Sequence, residues 1–447
     1  MKTFLLYTPV WLLLLSTAVY AQDQPLPEKL TLRQAQTIAQ QNNQQYNATV
    51  LNENIADEQL KKAKSDKIPD IYASSVLHNN LILQSTPIPT EVLDPTSPTN
   101  NTTIVRFGTP WDISAGFNLQ YDLFNPVSFH QVKEKKINKQ LSEVESRISL
   151  ENLKLNIASG YGAVLIARKQ YELAVEDTVK SADMLAYMKA LKQEGKINDQ
   201  DFYKGQMDMN TSKATLLQAK SIYQNAKVAL LQDMGYPADE ETLKNLDLQD
   251  KIETLIATYE DNGQESALAL SSTKMQLQTQ TSEYQLKSAK LSFAPTLSLI
   301  GYFGSNYYGD NLNLFEGDKF YGNSYIGLSL TIPITHSLQT YNSVKESQWR
   351  LQQQELRQKD DLAQKQALLI QDENTIEAAR AQYLLHKKNM DLAEKNYNIQ
   401  EALFYEGRLL PSDLSKAKYT YKQEQTNYLQ SVYTYFTSLV KRETDAL

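Results

Sequence analysis

The chain repeats itself on the scale of half its length, and no other sequence feature constrains its fold as strongly. The hexapeptide at 59–64, followed by Pro69, returns at 285–290, followed by Pro295. Each Pro closes a segment with helical spacing of apolar and small residues, because Pro ends a helix and favours an extended start. The sequence therefore predicts two copies of one supersecondary unit.

A second pair of matching segments lies further along each copy. Residues 191–196 return at 403–408, and both segments contain a Glu-Gly pair. The two copies are closer in register here than at the first match, so the first copy carries an insertion, which falls in residues 84–107. This stretch is rich in Pro, Ser, Thr and Asn, which predicts an exposed loop.

Each copy is predicted to run helix, strand, loop, strand, long helix, turn and return helix. The first helix covers about 29–66. The first copy spans 22–240, with strands at about 70–83 and 111–123, a long helix at 126–192 and a return helix at 198–233. The second copy spans 241–447, with strands at about 295–304 and 323–333, a long helix at 338–403 and a return helix at 412–444.

Composition agrees with long solvated helices. Gln, Asn, Leu, Ala and Lys dominate, and only 15 of 447 residues are Gly. These side chains lose little rotamer freedom in a helix and leave most helix faces polar. The chain has no Cys, so stability must come from packing and assembly, and its formal charge of −7 argues against a nucleic-acid partner.

The strands alternate apolar and polar residues. Phe117, Leu119 and Tyr121 alternate with polar positions, and Ile326 and Leu328 do the same in the second copy. A half-buried strand of a water-soluble sheet also shows this pattern. The strand lengths, however, match the roughly 9–11 tilted residues that cross a bilayer. Four strands cannot close a barrel, and lipid does not tolerate an open edge, so several protomers would have to share one barrel.

The first 21 residues have the pattern of a secretory signal. Lys2 precedes an apolar run, and small residues end at Ala21. We predict a signal peptide at 1–21 that is cleaved after Ala21, with an uncleaved anchor as the alternative. The mature chain would then work outside the cytoplasm.

The last helix carries a regular tyrosine pattern. Leu414, Tyr421, Tyr428 and Tyr435 recur at seven-residue spacing, which is typical of a coiled-coil seam. A local tyrosine stripe in an ordinary helical bundle gives the same spacing.

The sequence resembles the TolC-like outer-membrane efflux family over essentially the whole mature chain. The residues that carry the resemblance are Leu30, Thr31, Leu32, Ala35, Ala39 and Asn42 in the first helix, Pro69 and Pro295 before the strands, and Glu194, Gly195, Asp201, Tyr405, Glu406, Gly407, Asp413 and Leu414 at the turns. The resemblance implies a mainly α fold with a small membrane β part. In the family, a homotrimer forms a twelve-stranded β-barrel and a long α-helical coiled-coil tunnel in the periplasm.

The resemblance also implies a function. Such a chain is a subunit of a passive export conduit in the cell outer membrane, in a tripartite efflux or type I secretion system, with no cofactor and no enzymatic activity. Its expected partners are two further copies, a periplasmic adaptor, an inner-membrane pump and outer-membrane lipid. The alternative from a different class is a structural periplasmic coiled-coil scaffold whose strands form a small soluble sheet.

The resemblance places two sets of candidate site residues. The adaptor would contact the glycine turns, although these are in any case helix-hairpin turns. The expected contacts are Gly195, Lys196, Ile197, Asp201, Gly407, Arg408, Leu409, Leu410 and Asp413. Acidic residues narrow the periplasmic entrance in the family, and the corresponding stretch here contains Asp391, Glu394, Lys395, Asn398 and Glu401. Lys395 and Asn398 depart from that pattern, so either another acid forms the ring or the entrance is differently charged; ordinary solvated helix charges are the alternative.

Catalytic and metal signatures are missing from the sequence. The four histidines, at 78, 130, 336 and 386, have no second His or carboxylate at metal-ligand spacing. A secreted enzyme with a helical display domain would need a concave polar site that the sequence does not indicate.

Overall fold

The structure is a computed structural model that describes residues 26–27, 29–93, 96, 102–261, 267–313, 319–334 and 337–445. The predicted signal peptide at 1–21 lies outside these residues, as does His336.

Two helices of nearly equal length dominate the described part of the chain. The helices are α1 (Leu32–Asn42), α2 (Gln44–Ser65), α3 (Pro126–Gln193), α4 (Asp199–Asp233), α5 (Glu240–Asn245), α6 (Ile252–Asp261), α7 (Ala267–Leu291), α8 (Ser337–Tyr405) and α9 (Pro411–Asp445). With 68 and 69 residues, α3 and α8 are each roughly 100 Å long at about 1.5 Å per residue. Helix α4 packs back along α3, and α9 packs back along α8.

The prediction of one helix over 29–66 was wrong in one respect, because the helix is broken at Asn43. The backbone of Asn43 is extended, with φ −65° and ψ 113°, and its side chain accepts a hydrogen bond from the Tyr46 N–H at 2.9 Å. Asn43 therefore ends α1 and caps α2, as Asn commonly does at a helix N-terminus. Thr31 and Gln34 form a reciprocal capping box that starts α1.

The strands form two sheets. They are β1 (Asp70–Asn79), β2 (Gln84–Pro89), β3 (Thr102–Phe107), β4 (Trp111–Phe124), β5 (Thr296–Gly309) and β6 (Phe320–Thr331). The larger sheet is antiparallel, in the order β1-β4-β5-β6, so the two strands of the first sequence half lie beside the two strands of the second half. The predicted strands at 295–304 and 323–333 correspond to β5, which extends five residues further, and to β6, which starts and ends earlier.

The loop prediction for 84–107 was also wrong in part, because β2 and β3 pair as a separate antiparallel hairpin. The Pro residues had suggested a loop. Pro87 and Pro89 lie on β2, which has a neighbour on one side only, and an edge strand tolerates residues without an N–H donor.

The main hydrophobic core lies at the middle of α3, where α1, α6 and α9 converge. Tyr161 is fully buried there and donates its hydroxyl proton to the Leu30 carbonyl at 2.7 Å. Gly162 leaves room for the ring of Phe436, which a Cβ at that position would overlap. This core fixes the N-terminal segment against both long hairpins. Among the described residues, no helix combines the length and the apolar character needed to cross a membrane.

Candidate functional sites at the sheet and the helical tip

The four-stranded sheet has one polar and one apolar face. Directly paired residues of antiparallel strands share a face, so the registers assign every side chain. Polar side chains bond to each other across the strands on the first face: Asn118 donates to Ser74 at 2.8 Å, and Ser298 donates to Asp122 at 2.7 Å. This face is therefore built for contact with water.

The opposite face is apolar and uncovered. It carries Ile71, Phe117, Phe303, Ile326, Leu328 and Leu330, all of them exposed. Phe303 and Ile326 retain 72% and 73% of their accessible surface. Isolated exposed apolar residues are ordinary, but a continuous apolar sheet face marks an interaction surface.

Both glycine turns have the same geometry. Gly195 and Gly407 each adopt a φ of +73°, a conformation that residues with a Cβ rarely adopt. In the first turn the Gly195 N–H donates to the Lys192 carbonyl at 3.0 Å, and the Lys196 N–H donates to the Leu191 carbonyl at 2.8 Å. These two bonds form a Schellman cap, and the second turn repeats them.

The two turns lie side by side at one end of the molecule. Tyr187 and Tyr405 bring the hairpins together, with ring centroids 5.0 Å apart. A tip cluster of Met188, Tyr397, Phe404, Leu414 and Ala417 fills the space between the hairpins. Of the predicted tip residues, Ile197 and Leu409 pack partly against this cluster. Exposed predicted residues are Gly195, Lys196, Gly407, Arg408, Leu410 and Asp413; Asp201 is half-buried.

Next to the tip cluster, charged residues connect the hairpin α3–α4 to α9. Asp177 of α3 lies 3.0 Å from the Lys418 ammonium and also pairs with Lys422. The hydroxyls of Ser181 and Ser212 lie 2.9 Å apart and accept hydrogen bonds from the two lysines. We call these five residues the Asp177 cluster.

Burial and charge pairing oppose each other in the Asp177 cluster. Burial raises the pKa of Asp177, but Lys422, Ser212 and Lys418 outweigh it, so the pKa lies below its ordinary value. Burial lowers the pKa of Lys418, although Asp177 opposes that shift. This cluster has no sequence signal, because no local pattern indicates that charges far apart in the chain will meet.

The comparisons with known proteins agree on the architecture. No protein-family model matches the chain, and no curated protein sequence matches it. Solved structures do. The CmeC outer membrane channel of Campylobacter jejuni aligns with 93% of this chain and 85% of its own, at 17% identity and a TM-score of 0.73. The outer membrane protein VceC of Vibrio cholerae aligns with 92% of this chain and 96% of its own, at 15% identity and a TM-score of 0.69. The MtrE outer membrane channel of Neisseria gonorrhoeae aligns with 93% of this chain and 88% of its own, at 13% identity and a TM-score of 0.70.

The chain has the fold of the TolC-like outer-membrane channels. The likeness extends over nearly the whole chain in each pair, so the TolC-like fold includes both the sheet and the helical hairpins.

The predicted entrance residues of this TolC-like fold divide into two groups. Asp391, Lys395 and Asn398 are exposed and share one face of α8. Glu394 accepts a hydrogen bond from Tyr421 of α9 at 3.3 Å, and Glu401 accepts one from Tyr397, one turn earlier on α8, at 2.7 Å. The exposed face of α8 therefore carries the acidic Asp391 and the basic Lys395 one helical turn apart.

The tyrosines of α9 lie between α8 and α9. Tyr421 stacks on Tyr397 with centroids 5.8 Å apart, and Tyr428 and Tyr435 stack on either side of Tyr383. Burial raises the pKa of Tyr421 to about 12, so the hydroxyl stays protonated and can donate at physiological pH.

The described residues contain no group of three or more His, Cys, Asp or Glu that could hold a metal ion. Two histidines do lie beside a carboxylate distant in sequence. His78 is 2.9 Å from Asp112, and His386 is 3.5 Å from Glu424. These partners could not be predicted from spacing in the sequence, because they lie on neighbouring strands or helices.

Proposed function

We propose that this protein is a subunit of a homotrimeric outer-membrane channel that exports solutes passively from the periplasm to the exterior. The open four-stranded sheet carries this proposal. In the described part of the chain, β1 and β6 each have a neighbour on one side only, and the apolar face is uncovered. Three copies would pair β6 of one with β1 of the next, which closes twelve strands with the apolar face towards lipid.

Aromatic residues give this sheet two levels that suit the two surfaces of a membrane. Trp111 and Phe320 lie at one end of the apolar face, and Tyr121 lies at the other. Ten residues of strand separate Trp111 from Tyr121, which is about 33 Å along the strand and about 25 Å along the normal at a tilt near 40°. That height matches the apolar band of an outer-membrane barrel.

The surface area of the chain supports assembly. Its accessible surface is 29748 Å² at a mass of 50.9 kDa, whereas a compact monomer of that mass exposes about 17,000 Å². Such an excess fits an elongated protomer that buries surface against copies of itself. Proposed repeats at 22–240 and 241–447 would each supply two strands and one long hairpin to the assembly.

The tip and the entrance complete the proposal. Lys196 and Arg408 extend from equivalent turns, and we propose that a periplasmic adaptor contacts these turns while an inner-membrane pump supplies the energy. The adaptor surface would comprise the predicted tip residues, and Asp391, Lys395 and Asn398 would line the entrance. A passive conduit requires no cofactor and no catalytic residue.

Three measurements test the proposal. The protein should sediment with outer membranes, migrate as a trimer on a mild detergent gel, and conduct ions in a planar bilayer. A protein that stays in solution without detergent after lysis would favour the periplasmic scaffold and contradict a membrane channel. A membrane-bound monomer would contradict the shared barrel.

A further inference from the structure

Tyr302 on β5 has an unusual position on the polar face of the sheet. It leans along the strand so that its phenol end lies over Gly116 and Gly304, which face each other across β4 and β5. A Cβ at Gly116 would lie 2.8 Å from Tyr302 Cζ, and one at Gly304 would lie 2.5 Å from its hydroxyl. The two glycines therefore leave the space that the ring occupies.

The ring of Tyr302 belongs to a larger aromatic surface. Tyr325, its direct partner on β6, lies 6.1 Å away between centroids and within 26° of parallel. Tyr325 is 56% exposed. The Tyr302 hydroxyl is enclosed and makes no hydrogen bond to a described residue. Two nearly parallel rings with an accessible surface form what we call the Tyr302–Tyr325 patch.

The acidic and basic residues of the four strands that form this face carry charge of one sign. Strands β1, β4, β5 and β6 contain no Lys or Arg. Asp70, Asp112 and Asp122 all lie on the polar face, where His78 contacts Asp112. In a closed trimer these acids would occur three times around the same lumen, so cations would be attracted and anions repelled.

We propose that the Tyr302–Tyr325 patch is a contact site for planar organic cations on their way through the lumen. The inference rests on the proposed channel function, which places the polar face inside. Tyrosine rings attract a cation held within about 6 Å of the ring centroid, and flat rings stack on flat ligands. The acids on the same face give the patch its preference for positive charge. If the two rings served only to cover the glycines, binding would show no preference for cations over anions.

The test is equilibrium binding to the full-length protein in lipid nanodiscs. Ethidium serves as the planar cation and fluorescein as a planar anion, and fluorescence anisotropy gives both dissociation constants. We expect ethidium to bind more tightly than fluorescein. Tyr302→Leu and Tyr325→Leu should each weaken ethidium binding about threefold to tenfold, whereas Tyr302→Phe, which keeps the ring, should stay within about twofold.

The control is Phe303→Leu, which removes a ring from the lipid-facing side of the same strand and should leave binding unchanged. Unchanged affinity in both leucine variants, or equal affinity for fluorescein, would overturn the proposal. If Tyr302→Leu does not form trimers, Tyr325→Leu decides the matter, because it leaves the glycine pair and its cover intact. Channel failure is separate: a wild-type protein without ion conductance would contradict the export function while the binding result stands.

Discussion

Replacing Asp177 by Asn tests whether the Asp177 cluster holds the hairpin α3–α4 to α9. The substitution keeps the size of the side chain but removes the only carboxylate that pairs with both lysines in this cluster. Lys418 and Asp177 each have 17% of their side chain exposed, and Lys422 has 31%. The variant therefore leaves two ammonium groups close together, one of them largely buried, without their anion.

The expected loss of stability follows from this burial. Removing one partner of a fully buried pair costs about 3–5 kcal/mol. Because these side chains keep some contact with water, we expect about 2.5 kcal/mol per protomer. Unfolding entropy is about 2.1 cal/mol/K per residue, or about 0.9 kcal/mol/K for roughly 420 residues. The melting temperature should therefore fall by about 3 °C.

Circular dichroism of the detergent-solubilised trimer measures this shift. Asp183→Asn, an exposed acid on the same helix, is the matched control and should change the melting temperature by less than 1 °C. Adding Lys418→Met to Asp177→Asn should restore part of the loss, since it removes the unpaired buried charge. A drop below 1 °C for Asp177→Asn would refute the assignment of a stabilising role to the cluster.

The remaining predictions concern the tip, the core and the sheet. Gly407→Pro should leave the trimer on a detergent gel intact but lower export, because Pro cannot adopt the positive φ of the turn; loss of the trimer would contradict this separation. Gly162→Ala should lower stability by about 1–2 kcal/mol through overlap with Phe436. Gly160→Ala, whose Cβ would meet Leu230 and Asp233 only at ordinary van der Waals distance, should raise stability by about 0.5 kcal/mol; equal effects in thermal melts would argue against the packing explanation. Leu328→Arg on the apolar face should reduce trimer yield, at a cost of about 2–4 kcal/mol in lipid, while Ser329→Arg on the polar face should not; equal yields would contradict the assignment of faces.

Much of the fold could be predicted from local sequence signals. The long helices follow from helical spacing and the absence of Pro, and the turns follow from Gly195 and Gly407, whose positive φ nearly requires glycine. The alternation of the strands identified the two faces. The break at Asn43 was missed because Asn is tolerated inside a helix and becomes a cap only when the chain turns there.

The sites were less predictable because they depend on contacts distant in sequence. In the sequence, Glu394 and Glu401 have the appearance of charges on a solvated helix face. In the structure, Glu394 accepts a hydrogen bond from Tyr421, which is distant in sequence, and Glu401 accepts one from Tyr397, one helical turn away. The Tyr302 position depends on two glycines from different halves of the chain, which become neighbours only once β4 pairs with β5. Neither the glycine pair nor the Asp177 cluster has a sequence pattern of its own.

Beside the Asp177 cluster, helix α9 is bound to its two neighbours by different kinds of interaction, and this difference predicts which contact yields first. Stacked tyrosines join α9 to α8, with ion pairs at His386–Glu424 and Lys441–Asp372 further from the tip, while ion pairs of Lys418 and Lys422 join α9 to Asp177 of α3. Because the pKa of Asp177 is lowered, its stabilising effect is complete above the unfolded-state value near 3.9 and is lost as the pH falls through the lower folded-state value. Burial raises the pKa of Tyr421, Tyr428 and Tyr435 to about 12, so these tyrosines stay neutral throughout this range. As the pH is lowered from about 5 through the folded-state pKa of Asp177, distances between spin labels beside Asp177 on α3 and Lys418 on α9 should therefore broaden before those across the stacked Tyr397 and Tyr421 of α8 and α9; simultaneous broadening of both would show that the ionic contact is not the weaker one.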